Sequence, residues 1–259
     1  MRILITLLVA CLLALPGHAG ERGVLTVPLV TYYDQAPFYS PQNDTDLTRQ
    51  LADLLTARSG GRYRFVATVL PKKRVENMAQ FDDWQGLVAW LHPRFVSDEE
   101  HRRFFWTEPV LLEEDLVISR AEAPVEYTGP ASLRGKVLGT VLNHRYTDVE
   151  DMFARHELRR SDAASLETNV RKLLLGRVDV VFVSYSSLPG LRERIPKLDR
   201  MLYIAPQPRN HFTRHILITR GLPPELVRFV QGTVANFGHD PEWHAIVARD
   251  HLESLAPKH

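Results

Sequence analysis

The order of short apolar segments near the start of the chain restricts the fold more than any other feature. Residues 24–30 and 63–70 are short apolar or alternating runs typical of strands, and residues 46–59 between them carry leucines at helical spacing. Gly60-Gly61 then marks the predicted end of this helix. Two strands joined through one helix are typical of a parallel sheet covered by helices, so the pattern predicts an α/β protein.

Residues 1–19 are predicted to be a secretory signal peptide. Arg2 supplies the positive charge, residues 3–15 are apolar, and Ala19 ends a small-residue cleavage site. An apolar run of about 13 residues is too short to span a bilayer, which takes roughly 20. The segment around Cys11 also resembles a lipobox, but the apolar run continues past Cys11 and favours cleavage after Ala19. These features predict export to the periplasm.

Cysteine content and charge exclude several classes of function. Cys11 is the only cysteine, so a chain cleaved after Ala19 has no disulfide, thiol nucleophile or thiolate metal site. The chain has 32 basic and 31 acidic residues, and loss of Arg2 leaves a formal charge of zero. A nucleic-acid-binding module usually shows a basic excess, so nucleic acid is not expected as a partner. The length suffices for one large or two small α/β lobes.

The segment from 86 to 119 organises the middle of the chain. Apolar run 87–91 is followed by a charged stretch, by the block Trp106-Thr107-Glu108-Pro109-Val110, and by a second apolar run at 116–118. This order resembles the signature segment of the bacterial extracellular solute-binding proteins of family 3. Gly176-Arg177-Val178-Asp179 and the apolar strand after it form the most specific match to that family. The resemblance is to a pattern, with several departures.

The resemblance implies the fold of a class II periplasmic binding protein. Such a protein has two α/β lobes, each a mainly parallel sheet flanked by helices, and two crossing strands join the lobes. Lobe one is then expected at 20–118 and 216–259, and lobe two at 119–215. The polar stretch 120–130, with two prolines, is expected to be the hinge connector. No cofactor is implied, and the protein is expected to be a monomer.

The expected ligand residues of lobe one follow the predicted strands. Tyr33 and Phe38, with Tyr32, match aromatic positions that pack on the ligand in the family, although they could equally plug the top of the sheet. Trp90 replaces a frequent glycine, and it either stacks on a ligand or belongs to the core. Arg74 ends a basic turn that either faces the crevice or is simply solvated.

The residues that would anchor an amino acid depart from the family pattern. The family's carboxylate-clamping arginine aligns with Glu100 without a gap and with Arg94 if a gap is placed upstream. Arg145 and Tyr146 lie in the predicted anion-binding loop of lobe two, before a helix that Thr147 or Asp148 is expected to cap. Ser184 occupies the place of the family's α-amino-binding aspartate. A small anionic or carboxylate-bearing solute is therefore expected in place of a plain α-amino acid.

Enzyme motifs are absent from the sequence. There is no Gly-x-Ser-x-Gly, no phosphate-binding glycine-rich loop and no His-Glu-x-x-His. Glu99-Glu100-His101 is interpreted as a solvated helix start and not as an acid/base cluster. No enzyme activity is expected, although dehydratases on this scaffold remain an alternative. The expected partner is an ABC transporter permease, or else a membrane sensor.

Overall fold

The computed structural model describes residues 23–41, 45–78 and 84–257. The predicted signal peptide, residues 1–19 with Cys11, lies outside the described residues. Within those described ranges, no helix is long and apolar enough to cross a membrane.

The first lobe is built on a mainly parallel sheet. Strand β1 pairs in parallel with β2 and β3, and β10 (Asn210–Ile218) lies antiparallel between β3 and β4. Its other elements are β1 Leu25–Thr31, α1 Leu47–Arg58, β2 Tyr63–Val69, α2 Lys72–Met78, β3 Leu87–Leu91 and β4 Phe105–Trp106. The strand order is therefore β2-β1-β3-β10-β4, and the predicted strand–helix–strand opening is confirmed.

The second lobe repeats this order with different strands. Strand β6 pairs in parallel with β7 and β8, and β5 lies antiparallel against β8, β9 and β10. Its elements are β5 Leu111–Arg120, β6 Val137–Val141, α3 Glu150–Ala154, β7 Arg159–Ala163, α4 Leu166–Leu174, β8 Val180–Ser184, α5 Leu188–Arg194, α6 Leu198–Met201 and β9 Leu202–Ile204. Each lobe thus has a parallel core sheet with one antiparallel strand supplied by a crossing connection.

The two crossing strands are β5 and β10, and each is continuous between the lobes. Val110 and Leu111 belong to the core of lobe one, whereas Leu116 and Ile118 pack in lobe two. We therefore propose that the crossing lies within 112–115, a few residues before the expected boundary after 118. Residues 120–130 are not a free hinge connector, since Val125 and Tyr127 within them are buried in the core of lobe two.

The C-terminal helices return to lobe one. Helices α7 (Pro224–Ala235) and α8 (Pro241–Arg249) place Leu226, Val230 and Trp243 in the same core as helix α1. Their apolar residues recur at helical spacing, which places them on one buried face of each helix.

Helix α1 begins at a capping residue that the described structure shows directly. The Asp46 carboxylate accepts a hydrogen bond from the Arg49 backbone N–H at 3.0 Å, and its side chain is buried. This bond satisfies one of the backbone donors that a helix leaves unpaired at its start.

We expect Asp46→Ala to lower the free energy of unfolding by about 1–2 kcal/mol, because it removes the cap of α1. Chemical denaturation of the variant and the parent protein measures this difference. Asp53→Ala is the matched control, since Asp53 is exposed on the same helix and should change stability by less than about 0.5 kcal/mol. Equal stability of the Asp46→Ala variant and the parent would contradict the capping role.

Candidate functional site

The face that the crossing strands turn toward the cleft carries four side chains, which we call the cleft floor: Glu113, Asp115, Phe212 and Arg214. Glu113 is paired with Phe212 in the antiparallel ladder between β5 and β10. Alternate residues on a strand, and residues directly opposite each other on paired strands, lie on one face, so all four share it. The loops after β1 and after β8 contact this face. Ligands of open α/β sheets bind outside the carboxyl ends of such strands.

A buried ion pair lies at the centre of the cleft floor. The Arg214 Nε donates to a Glu113 carboxylate oxygen at 2.8 Å, and the side chains are 2% and 0% exposed. Burial opposes the charge on Arg214, but the adjacent Tyr33 and Glu113 outweigh it and raise the pKa of the guanidinium. Arg214 therefore keeps its positive charge although it is buried. The Ser186 hydroxyl and backbone N–H also donate to Glu113, at 2.6 and 3.2 Å.

A second ion network flanks the first on the side of lobe two. The Arg209 guanidinium donates to Asp115 at 3.0 Å and to Asp148 at 2.8 Å, and it lies 4.5 Å from the centre of the Phe182 ring. Burial raises the pKa of Asp115, and the nearby charge of Arg209 partly offsets this effect. Two carboxylates thus share one guanidinium, which leaves this network with a formal surplus of one negative charge.

Two of the aromatic residues predicted to pack on a ligand, Tyr33 and Phe38, pack on Arg214. The guanidinium carbon lies 4.8 Å from the Tyr33 ring centre and 4.7 Å from that of Phe38. Phe38 is only 1% exposed and also packs against Trp90, with ring centres 5.1 Å apart. This placement favours the alternative in which Phe38 plugs the top of the sheet. Tyr33 is half-buried at the edge of the cleft.

Trp90 is a core residue in this structure. Its side chain has no exposed area, its indole N–H donates to the Thr48 hydroxyl at 2.9 Å, and its ring stacks near that of Trp243. It therefore offers no stacking surface to a ligand. Its φ of 67° is unusual for a bulky residue. The Trp90 carbonyl accepts a hydrogen bond from Arg214 at 3.1 Å, which stabilises this backbone conformation.

The three predicted cationic residues, Arg74, Arg94 and Arg145, are exposed. Arg74 lies on α2 after β2, Arg94 in the short 3-10 turn Pro93–Val96 after β3, and Arg145 in the loop after β6. Each therefore follows the carboxyl end of a parallel strand, the edge at which a ligand is expected. We call these three residues the rim cations.

The loop that carries Arg145 differs from its prediction at the helix start. Helix α3 begins at Glu150, and its N-cap residue Val149 makes no side-chain capping bond, so the expected cap at Thr147 or Asp148 is wrong. The Asp148 carboxylate is held by Arg209 instead. Tyr146 is largely buried, and its hydroxyl accepts the Val141 backbone N–H at 3.1 Å. In this structure Tyr146 supports the loop.

Ser184, at the end of β8, has a carboxylate partner that comes from another strand. Its hydroxyl donates to Asp115 at 3.0 Å. Asp115 comes from β5, whose residue 115 is directly opposite Ser184 in the ladder. A carboxylate of the neighbouring crossing strand therefore lies beside the end of β8.

The acidic pair Glu99-Glu100 lies in a turn, so the predicted helix start at this position is wrong. The Asp98 carboxylate organises the turn by accepting the Arg103 backbone N–H at 2.8 Å and the Trp106 indole N–H at 2.9 Å. Among the residues that the structure describes, no group of three or more histidines, cysteines, aspartates or glutamates is placed to hold a metal ion.

The two lobes are in contact across the cleft. Tyr185 of lobe two packs against the cores of both lobes. A Cβ placed on Gly190 of α5 would lie 3.2 Å from the Ala36 Cβ in the loop after β1, so only a very small residue fits. Lys72 of lobe one lies close enough to His144 of lobe two to contribute, after desolvation, to the lowered pKa of that histidine, about 4. The structure is therefore a closed form.

Comparison with known proteins identifies the fold. No family model and no curated protein matches the sequence. An ancestral arginine-binding protein bound to arginine has a TM-score of 0.66 and 13% identity, and the match covers 89% of this chain and 99% of that one. The substrate-binding protein of an amino acid ABC transporter has a TM-score of 0.61 and 12% identity, with 86% and 98% covered.

A third solved structure is the periplasmic domain of BvgS from B. pertussis. Its TM-score is 0.66 at 15% identity, and the match covers 90% of this chain but 43% of that one. At such identities the likeness shows the fold. The predicted two-lobed α/β architecture, and the resemblance to amino-acid-binding periplasmic proteins at the level of the fold, are confirmed.

One contact between the lobes predicts a dependence of stability on pH. Burial, followed by the nearby carboxylates Glu193 and Asp46, raises the pKa of Asp250 to about 6. The usual value for an unfolded aspartate is about 3.9. Ionised Asp250 therefore destabilises the folded protein: the penalty is absent below about pH 4, grows between pH 4 and 6, and is complete above pH 6.

We expect Asp250→Asn to raise the free energy of unfolding at pH 7.5 by on the order of 1–2 kcal/mol, and to leave it nearly unchanged at pH 4. Denaturant titrations at the two pH values measure this. Asp53→Asn, at an exposed carboxylate, is the control and should show no such difference. A loss of stability at pH 7.5 in the Asp250→Asn variant would show that the carboxylate has a stabilising partner.

Proposed function

We propose that the chain is a periplasmic solute-binding protein that captures a small anionic or carboxylate-bearing solute between its lobes and delivers it to an ABC-type importer. The observation that carries this proposal is the pair of continuous crossing strands, β5 and β10. Strand β10 pairs with β3 and β4 of lobe one and with β5, and β5 pairs with β8 and β9 of lobe two, so the two strands join both sheets beside one cleft. Rotation about such strands couples the occupancy of the cleft to the shape of the protein.

The charges around the cleft support the class of solute. The rim cations Arg74, Arg94 and Arg145 are exposed where the solute enters, and a guanidinium can bind a carboxylate through two parallel hydrogen bonds. Arg214 of the cleft floor and the neighbouring Arg209 differ from them because carboxylates of the chain already bind both. The rim cations are therefore the groups available to an incoming carboxylate.

The solved structures of the same fold favour a ligand-binding function. One is bound to arginine, which carries a carboxylate, and another is the binding protein of an amino acid ABC transporter. The structures that resemble this chain are mainly binding proteins, which makes a dehydratase on this scaffold the less favoured alternative. The predicted signal peptide supports a periplasmic location, and the permease of the importer is the proposed partner of a monomeric protein.

A second candidate is a ligand-sensing module for a signalling partner in the membrane. The matched BvgS periplasmic domain is more than twice as long as this chain, so the same fold also occurs as part of longer periplasmic proteins. Co-purification with a permease or with a membrane receptor separates the two candidates.

The first test is a thermal-shift screen of a protein that starts at residue 20, against amino acids, organic acids, short peptides and polyamines. A solute at about 100 times its dissociation constant adds roughly 2.7 kcal/mol to the free energy of unfolding, which raises the melting temperature measurably. We expect the hits to carry a carboxylate. Hits confined to polyamines would contradict the proposed class of solute.

Calorimetric titration of a hit into the Arg145→Ala variant tests the rim. A charge-assisted hydrogen bond is worth roughly 1.5–3 kcal/mol, so we expect the dissociation constant to rise by about 10-fold or more. Arg177→Ala is the matched control, because Arg177 is exposed at the opposite end of the lobe-two sheet. An unchanged dissociation constant in the Arg145→Ala variant would show that the lobe-two part of the site is wrong.

A further inference from the structure

We propose that the buried pair of Arg214 and Glu113 is an internal latch that holds the two lobes closed in the absence of solute. This inference deepens the proposed function and rests on it, since it concerns how closure of the same cleft is regulated. It states that closure of this protein does not require a bound solute.

The latch is a continuous chain of hydrogen bonds from one lobe to the other. In lobe one, the Trp90 carbonyl accepts from Arg214 at 3.1 Å. Arg214 then donates to Glu113 at 2.8 Å, across the two crossing strands. In lobe two, the Ser186 hydroxyl donates to the same carboxylate at 2.6 Å. Every link in this chain is buried.

Arg214 also occupies the place that the family resemblance assigns to a ligand. Tyr33 and Phe38 of lobe one lie 4.8 and 4.7 Å from its guanidinium, and Phe212 lies at 5.1 Å. Attraction between a cation and aromatic faces is strongest where water is excluded. The loop after β1 thus packs on the Arg214 side chain.

The packing beside the latch leaves little space between the lobes. Gly190 of lobe two approaches Ala36 so closely that an added Cβ would lie 3.2 Å from the Ala36 Cβ and 3.4 Å from its carbonyl oxygen. Tyr185, next to Ser186, packs against the cores of both lobes. These contacts form only when the lobes are together, and they surround the ion pair with protein atoms.

The cost of burying an unpaired charge explains why the intact pair favours the closed form and why its loss favours the open form. A buried charge that has lost its partner is strongly unfavourable unless water reaches it. Loss of the Glu113 charge therefore leaves Arg214 unpaired in the closed form, whereas an open cleft admits water to the guanidinium. The open form becomes the more favourable one, and the populations shift. A solute can shift this equilibrium only by binding one form more tightly than the other.

Distances between two spin labels measure the populations directly. The chain from residue 20 onward contains no cysteine, so Lys73→Cys and Leu142→Cys provide the only labelling sites. Both positions are exposed, on the lobe-one and lobe-two sides of the cleft mouth. We expect the labelled parent protein to show a single short distance without solute. We expect the Glu113→Gln variant to show a second, longer distance. The fraction of molecules with this longer distance should be at least several-fold larger than in the parent protein.

Three further variants make the experiment decisive. Arg214→Met should open the lobes as Glu113→Gln does, and Gly190→Leu should open them without any change of charge. Asp240→Asn is the matched control, because Asp240 is a buried carboxylate paired with Arg58 inside lobe one. It should leave the distance short. Circular dichroism shows whether each variant is folded. If Arg214→Met does not fold, the test relies on Glu113→Gln, which preserves the shape of the side chain.

The outcomes separate the latch from the proposed function. A long distance in the solute-free parent protein that shortens when a hit is added would overturn the latch and leave the proposed function standing. A short distance that stays unchanged in Glu113→Gln would also overturn the latch. If Glu113→Gln opens the lobes but no solute changes the melting temperature or the distance, the latch holds and the proposed function fails.

Discussion

The buried ion pair between Arg214 and Glu113 is the interaction on which the arrangement of the cleft depends. Removing two charges from water is costly, and the structure offsets that cost with further hydrogen bonds to both residues of the pair. Ser186 satisfies the carboxylate, and the Trp90 carbonyl and two aromatic rings surround the guanidinium. These partners come from both lobes. The pair therefore fixes the relative positions of the loops that line the cleft.

The repeated topology explains why the pair lies at this position. In lobe one the antiparallel strand of the sheet is β10, and in lobe two it is β5. Each is also a connection between lobes, so the two strands run side by side through the hinge. Glu113 and Arg214 are 101 residues apart in sequence, but this arrangement brings them into contact. A bound solute would meet the same face of the two strands.

Local patterns in the sequence predicted the elements whose stability is local. Leucine spacing over residues 46–59 located α1, and the apolar run at 87–91 located β3. The order of strands and helices predicted the fold class. Local patterns failed where a residue distant in sequence determines the contact that a side chain makes. Asp148 was a reasonable candidate for the cap of α3, because the arginine that binds it lies 61 residues further along the chain.

The cleft floor was missed for the same reason, although a weak signal exists. Three consecutive acidic residues, Glu113, Glu114 and Asp115, lie within one apolar strand, and Arg214 interrupts another. Such charges inside strands need partners, but nothing in the sequence says which. The ligand residues predicted from the family resemblance divide accordingly. The three predicted arginines are exposed, and each follows the carboxyl end of a parallel strand, whereas Trp90 and Phe38 are core residues.

Small-angle X-ray scattering of the solute-free protein tests the central claim most directly. The protein should start at residue 20 and should be measured beside its Glu113→Gln variant. If the chain's own ion pair closes the lobes, the scattering of the parent protein matches this closed structure, and the variant has a larger radius of gyration. A parent protein that already scatters as an open form, and contracts only when a solute is added, would contradict the account.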